Sequence, residues 1–184
     1  MKGLFVSIFI SLLLYTAVTD GQVKKVSIQA SGLTCSMCSR AIYKALQSVD
    51  FVETVDANIK NSTFEVTFKP NVDVDFDKLK NKVEEAGFFV VGFWATIHFD
   101  NLKIKNDAPV ETIGKNLMFL HVADQELNGD KTLKFLDKGY VSMREYKKNS
   151  TLTTKEECYK TGIADVSYIE SGIAKGSRIY HVTI

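Results

Sequence analysis

Between residues 22 and 99, the spacing of apolar residues changes repeatedly between the two-residue period of a strand and the period of a helix. Alternation over residues 26–30 predicts a first strand, and the apolar residues of 41–49 fall on one face of a helix. Two more alternating runs, residues 55–59 and 64–68, flank a polar turn. These two runs therefore predict a β-hairpin.

The rest of this segment changes again from helix to strand. Asp75 is a candidate helix cap and Gly87 a candidate helix stop. The apolar residues between them share one helix face: Phe76, Leu79, Val83 and Ala86. Residues 88–99 predict a long strand with these side chains on one side: Phe89, Val91, Phe93, Ala95, Ile97 and Phe99. The order β-α-β-β-α-β predicts an α+β, ferredoxin-like fold, in which two helices cover one face of a four-stranded antiparallel sheet.

The loop between the first strand and the first helix carries two thiols. It reads Gly32-Leu33-Thr34-Cys35-Ser36-Met37-Cys38. Thiolates select soft metal ions such as Cu(I), and Zn(II) and Hg(II) also use them. A helix that begins beneath Cys38 favours the thiolate, because a helix N-terminus carries partial positive charge. By itself, the loop predicts either a metal site or a redox dithiol.

In this context, residues 23–99 resemble the heavy-metal-associated domain of copper chaperones, copper-transporting ATPases and periplasmic mercury-binding proteins. The shared features are a glycine, an apolar residue and Thr-Cys-x-x-Cys before the first helix, together with residues 84–88 at the end of the second. The resemblance implies that Cys35 and Cys38 bind one metal ion in a near-linear geometry. It also implies a metal-donor or metal-acceptor protein as partner, such as a copper-transporting ATPase.

The other residues of the loop are expected to support this site. Gly32 permits a sharp backbone bend, and Leu33 fills a volume similar to that of the Met more often found in the family. Phe88 matches a position beside the metal loop, where it either shields the metal or is a plain core residue. Met37 is expected to pack partly rather than to bind metal, because helix geometry directs it away from the two thiols.

The residue before the first cysteine bears on the choice of metal. Zinc-selective members of the family often have an acidic residue there, which is a harder ligand, whereas this chain has the neutral Thr34. We therefore expect Cu(I), with Hg(II), Ag(I) and Zn(II) as alternatives.

Two other functions would use the same thiols. Thiol-disulfide oxidoreductases also place Cys-x-x-Cys at a helix start, but usually with an aromatic residue before the pair and Pro or Gly within it. Here Thr34 precedes the pair and Ser36-Met37 separates it. In an oxidising compartment, Cys35 and Cys38 could instead close as a disulfide, leaving a protein-interaction module that binds no metal.

Residues 1–21 are predicted to be an export signal. Lys2 precedes an apolar run over residues 4–14, and small residues stand before Gln22, where cleavage is expected. The run is shorter than a typical membrane span, so we expect no stable membrane insertion after cleavage. The mature protein is expected in the periplasm or outside the cell.

Residues 22–100 are predicted as the metal-binding domain and residues 101–184 as a second, mainly-β domain. Strands in the second domain are expected over 117–123, 132–136, 140–146, 164–169 and 177–184, and a loop over 124–130. Capping-box spacing from Thr154 to Glu157, followed by Gly162, predicts one short helix. Such strands could close as a barrel of the oligosaccharide/oligonucleotide-binding (OB) type, and a small open sandwich fits the same pattern.

The remaining residues suggest little further chemistry. His121, Cys158 and His181 are candidates for a second metal site, although only folding could bring them together; Cys158 is better explained as a buried thiol. The formal net charge of +1, without a cluster of basic residues, argues against nucleic-acid binding. The chain has no nucleophile elbow, phosphate loop or paired-carboxylate motif, so we do not expect an enzyme.

Overall fold

The computed structural model describes residues 21–33 and 36–184, and the predicted export signal lies outside these ranges except for Gly21. The strands are β1 (Gln22–Ser31), β2 (Val52–Asn58), β3 (Thr63–Phe68), β4 (Phe89–Ile104), β5 (Pro109–Thr112), β6 (Lys115–Phe119), β7 (Gln125–Phe135) and β8 (Ile179–Thr183). The α-helices are α1 (Ser36–Gln47), α2 (Phe76–Glu85), α3 (Met143–Asn149) and α4 (Glu156–Thr161). Short 3-10 segments occupy Ile59–Asn61, Ser150–Leu152 and Val166–Ser171.

The first six of these strands and helices form the predicted βαββαβ unit. β1 pairs antiparallel with both β3 and β4, and β2 pairs antiparallel with β3. The resulting strand order is β2-β3-β1-β4. The apolar faces of both helices are buried, at Ile42 and Leu46 in α1 and at Phe76, Leu79 and Val83 in α2. The ferredoxin-like α+β prediction for this segment is confirmed.

The two ends of α2 follow from local sequence signals. Asp75 caps the N-terminus, where its carboxylate accepts a hydrogen bond from the backbone N–H of Lys78 at 2.9 Å. At the other end, Gly87 has a φ of +91°, and the N–H of Phe88 donates to the carbonyl oxygen of Val83 at 3.2 Å. This helix ending places Phe88 directly before β4.

The predicted inward face of β4 is correct only from Phe93 onward. A register shift against β1 leaves Val91 outside the paired positions, so the alternation changes side there. As a result, Val90 is buried and Phe89 is 72% exposed. The expectation that Phe89 and Val91 face the core together with Phe93 was wrong.

The second half of the chain extends the same sheet. β7 pairs antiparallel with β4, and the complete order is β2-β3-β1-β4-β7-β8-β6-β5, with β6 and β8 parallel. The sheet ends at β2 and β5 and is open, so the described residues do not form the OB-like barrel. The boundary that we placed at residue 100 falls within β4, and the sheet is continuous across it.

Two elements expected in the second half are different in the structure. Residues 124–130, expected as a loop, lie mostly in β7, where Gly129, with a φ of +71°, pairs with Phe99 next to an irregularity in β4. Residues 140–146, expected as a strand, lead into α3, which Ser142 caps by accepting a hydrogen bond from the N–H of Glu145 at 3.2 Å. At residues 124–130 the turn signal was overridden by pairing with β4, and at residues 140–146 the capping signal of Ser142 was overlooked.

Residues 164–169 were also expected as a strand, and this was wrong. They lead into a 3-10 segment, in which the carboxylate of Asp165 accepts a hydrogen bond from the N–H of Ser167 at 2.7 Å. β6 and β8 confirm the strands expected near 117–123 and 177–184. The predicted short helix is α4, and Gly162 ends it with a φ of +69°.

An aromatic cluster joins the two halves of the chain. Its ring centroids lie between 4.8 and 6.2 Å apart. The members come from α2, β4, β7, the following loop and β8: Phe76, Phe93, Phe135, Tyr140 and Tyr180. All five belong to one buried hydrophobic core. Across the described ranges, no helix is long and apolar enough to cross a membrane.

Candidate metal site

The metal loop leaves β1 through a bend that requires glycine. Gly32 has a φ of +86°, a conformation that other residues adopt only with strain. A methyl group at this position would lie 3.8 Å from Cδ1 of Phe88, which is ordinary contact. The backbone conformation, rather than lack of space, therefore selects glycine here.

One of the two loop thiols is positioned by α1. Cys38 is the third residue of this helix and is half-buried, whereas Thr34 and Cys35 lie outside the described residues. The first turn of α1 contains no acidic side chain. The partial positive charge of the helix N-terminus therefore acts on Cys38 without a competing carboxylate in that turn, which favours its thiolate.

Apolar side chains hold the loop against the core from two directions. Leu33 and Phe88 are both half-buried and pack against the main hydrophobic core. Phe88 lies beside Gly32 and also packs against the core. This position fits both roles expected for it, shielding the metal and filling the core. Met37 is 72% exposed, which contradicts the expectation that it packs.

The three candidates for a second metal site do not all come together. His121 is exposed in the turn after β6, with a φ of +57°. Cys158 in α4 and His181 in β8 are both buried and are neighbours. Over residues 21–33 and 36–184, no group of three or more His, Cys, Asp or Glu side chains is arranged to hold a metal ion.

Sequence reasoning missed the buried carboxylate that orients His181. Asp137 lies 2.9 Å from Nδ1 of His181 through Oδ1, and its Oδ2 accepts a hydrogen bond from the backbone N–H of His181 at 2.8 Å. In the sequence, Asp137 precedes Lys138-Gly139 and gives only a turn signal. A motif search cannot find this pair because 44 positions separate its members.

Comparison with known proteins confirms the resemblance of the N-terminal half to the heavy-metal-associated domain. The sequence profile of the heavy-metal-associated domain matches residues 27–89. A probable copper-exporting P-type ATPase from Archaeoglobus fulgidus is 30% identical over 84 residues, which are 43% of this chain and 10% of that protein. A copper-transporting ATPase from Arabidopsis thaliana is 30% identical over 66 residues, which are 36% of this chain and 6% of that protein. The chain thus spans a tenth or less of the length of these relatives.

Two solved structures match about a third of this chain. The CopZ metallochaperone is 27% identical over 36% of this chain and 98% of its own, with a TM-score of 0.34. A copper-binding domain of a P-type ATPase is 31% identical over 35% of this chain and 86% of its own, with a TM-score of 0.33. The profile match includes the two-cysteine loop and both helices of the βαββαβ unit. Residues 27–89 are therefore a heavy-metal-associated domain.

Proposed function

We propose that Cys35 and Cys38 bind one Cu(I) ion and that the protein delivers or sequesters this ion. The observation that carries the proposal is the heavy-metal-associated domain, because its loop contains both thiols. The similar ATPases are described as copper-exporting and copper-transporting proteins. The neutral Thr34 favours Cu(I) over Zn(II), with Ag(I) and Hg(II) as further soft ions for the same pair.

The described part of the loop suits metal exchange with another protein. The half-buried Cys38 is anchored on α1, and Gly32 provides the bend that leads into the loop. Two thiolates leave Cu(I) open to a third ligand, so a partner thiolate can bind before either loop thiolate leaves. No bond to carbon or phosphorus changes in this exchange, so we propose a carrier and not an enzyme.

Competition titration tests the proposal directly. The reduced full chain is titrated anaerobically with Cu(I) against a chromophoric Cu(I) chelator. We expect Cys35→Ser/Cys38→Ser to bind one equivalent fewer than the unaltered protein. Met37→Leu is the matched control, because Met37 is a soft, exposed donor between the two cysteines; it should keep that equivalent. The same stoichiometry in the double serine variant would refute the proposal.

A thiol count on the natively purified protein separates the rival functions. Two reactive thiols at Cys35 and Cys38, together with Cu(I) binding, support the carrier. Catalysed insulin reduction by the metal-free protein would support an oxidoreductase instead, and a closed Cys35–Cys38 disulfide would support an interaction module.

We further propose that the protein acts after export, in the periplasm or outside the cell, with a metal-donor or metal-acceptor protein such as a copper-transporting ATPase. Cleavage before Gln22 would leave β1 whole, since β1 begins at that residue. The N-terminal residue of the protein isolated from its native cells, measured by mass spectrometry, should be Gln22. A purified protein that starts at Met1 would contradict cleavage.

A further inference from the structure

One ring nitrogen of His181 makes no hydrogen bond to a nitrogen or oxygen atom of the described residues. The residue is fully buried, and its Nδ1 faces Oδ1 of Asp137 at 2.9 Å. Because a carboxylate accepts hydrogen bonds, the neutral ring carries its proton on Nδ1 and leaves the lone pair on Nε2. Nε2 has no nitrogen or oxygen partner in the described part of the chain, and the Cys158 thiol lies beside the ring. Once its proton is displaced, this buried nitrogen can bind a metal ion.

The hydrogen bond between His181 Nδ1 and Asp137 is of the kind that metal-binding histidines make. Such histidines usually donate their other ring N–H to a carboxylate, which fixes the orientation of the ring. Here Asp137 does this, and it is fixed in turn by Nη1 of Arg178 at 3.2 Å. The Asp137 side chain is 4% exposed, so this arrangement is part of the interior.

The Cys158 thiol lies next to the His181 ring. Burial alone would lower the pKa of His181, but interactions with Asp137 and with the Cys158 thiol raise it to about 9, so a metal ion that binds at neutral pH must displace the proton on Nε2. The hydroxyl of Tyr168 is buried and also lies beside this thiol. Met118, which is fully buried and pairs with His181 between β6 and β8, belongs to the same apolar cluster as Cys158.

We propose that Cys158 Sγ and His181 Nε2 bind a second Cu(I) ion. A thiolate and an imidazole nitrogen are donors that copper prefers, and the neighbouring thioether of Met118 is also soft. Binding displaces the thiol proton of Cys158 and, at neutral pH, the Nε2 proton of His181, and both protons pass to solvent. Cys158 and Tyr168 line a surface cavity of about 390 Å³, so an ion from solvent would reach Cys158 before His181.

The second site goes beyond the function proposed for the loop, and it can be tested without the loop. In the full chain carrying Cys35→Ser/Cys38→Ser, anaerobic competition titration should still find one equivalent of Cu(I). Adding Cys158→Ser should abolish it, whereas adding His121→Gln, the matched control at an exposed histidine, should leave it unchanged. The proposal is overturned if the loop variant binds no Cu(I), or if Cys158→Ser retains the equivalent.

A second measurement avoids substituting the buried histidine. In the same loop variant labelled with ¹⁵N-histidine, one equivalent of Cu(I) should shift the Nε2 resonance of His181 and leave Nδ1 protonated. His98 and His121 serve as internal references and should not shift. A shift at either of them with His181 unchanged would overturn the assignment.

Discussion

Asp77 connects the metal-binding domain to the second half of the chain. It lies on α2, where its Oδ1 accepts a hydrogen bond from the Tyr140 hydroxyl at 2.7 Å. Its Oδ2 accepts from the Tyr180 hydroxyl at 2.9 Å and from Nε of Arg178 at 3.1 Å. All three donors come from the second half. Asp77→Ala should therefore lower the free energy of unfolding of the whole chain.

The size of this loss follows from the number of bonds and their exposure. A hydrogen bond to a charged group contributes about 1.5 kcal/mol at the lower end, so three give roughly 4.5 kcal/mol. The Asp77 side chain is 36% exposed and that of Arg178 28%, so water replaces part of what is lost. Arg178 also keeps Asp137 as a partner. We therefore expect a loss of about 2–3 kcal/mol, or roughly 4–12 °C in Tm for a chain of this size.

Urea unfolding measures this loss with two probes. Far-UV circular dichroism reports on the whole chain, and Trp94, the only tryptophan, reports on β4. Asp73→Ala is the matched control, because Asp73 also links the two halves, through Lys115, but is 74% exposed. It should lose less than about 1 kcal/mol. Equal losses for the two variants would refute the reasoning, as would separate transitions for the two probes.

Three further predictions concern the same domain. Burial alone would raise the pKa of Asp77, but Arg178 and the hydrogen bonds hold it below its ordinary 3.8. The ionised Asp77 therefore stabilises the fold fully above about pH 4, and this stabilisation is lost as the pH falls through the folded-state pKa. Urea unfolding should accordingly show the stability difference between the unaltered protein and Asp77→Asn shrinking below pH 3.8, and a constant difference would contradict this. Gly32→Ala should lower the free energy of unfolding in urea by about 1–2 kcal/mol, because the φ of Gly32 is +86°. It should also weaken Cu(I) binding in competition titration, and no change in either measurement would contradict a required bend. Phe93→Ala should cost about 3–5 kcal/mol by urea unfolding, because Phe93 is fully buried among rings from both halves, and a loss below 1 kcal/mol would rule out a shared core.

The N-terminal half was predictable because each element shows its own local signal. The period of the apolar residues separates strands from helices, and Asp75 and Gly87 mark both ends of α2. The second half carries conflicting signals. Asn128-Gly129 is typical of a turn, but the strand continues through it, since Asn128 donates to the side-chain oxygen of Asn101 at 3.1 Å across an irregularity in β4. Only the partner strand resolves such a conflict, and the partner is distant in sequence.

The two candidate sites also differ in how well the sequence identifies them, because one is local in sequence and the other is not. The loop thiols are three positions apart, so a short motif identifies them. Cys158, His181 and Asp137 come from α4, β8 and the loop after β7, and nothing in their spacing links them. His121 looked equivalent to His181 in the sequence, because both have apolar neighbours, but the chain turns outward at His121.

The sheet extension pairs with the part of β4 that is distant from the start of the strand. In an isolated βαββαβ unit, β4 would be a sheet edge, and exposed edges favour pairing with other chains. Here β7 pairs with β4 from Trp94 to Ile104, whereas the segment from Phe89 to Phe93 lies beyond that pairing. Phe89 pairs with Ser31, the last residue of β1 before the metal loop. The added strands thus pair with the far end of β4 and not with its first five residues, so the proposed metal exchange and the stability contributed by the second half would depend on different parts of one sheet.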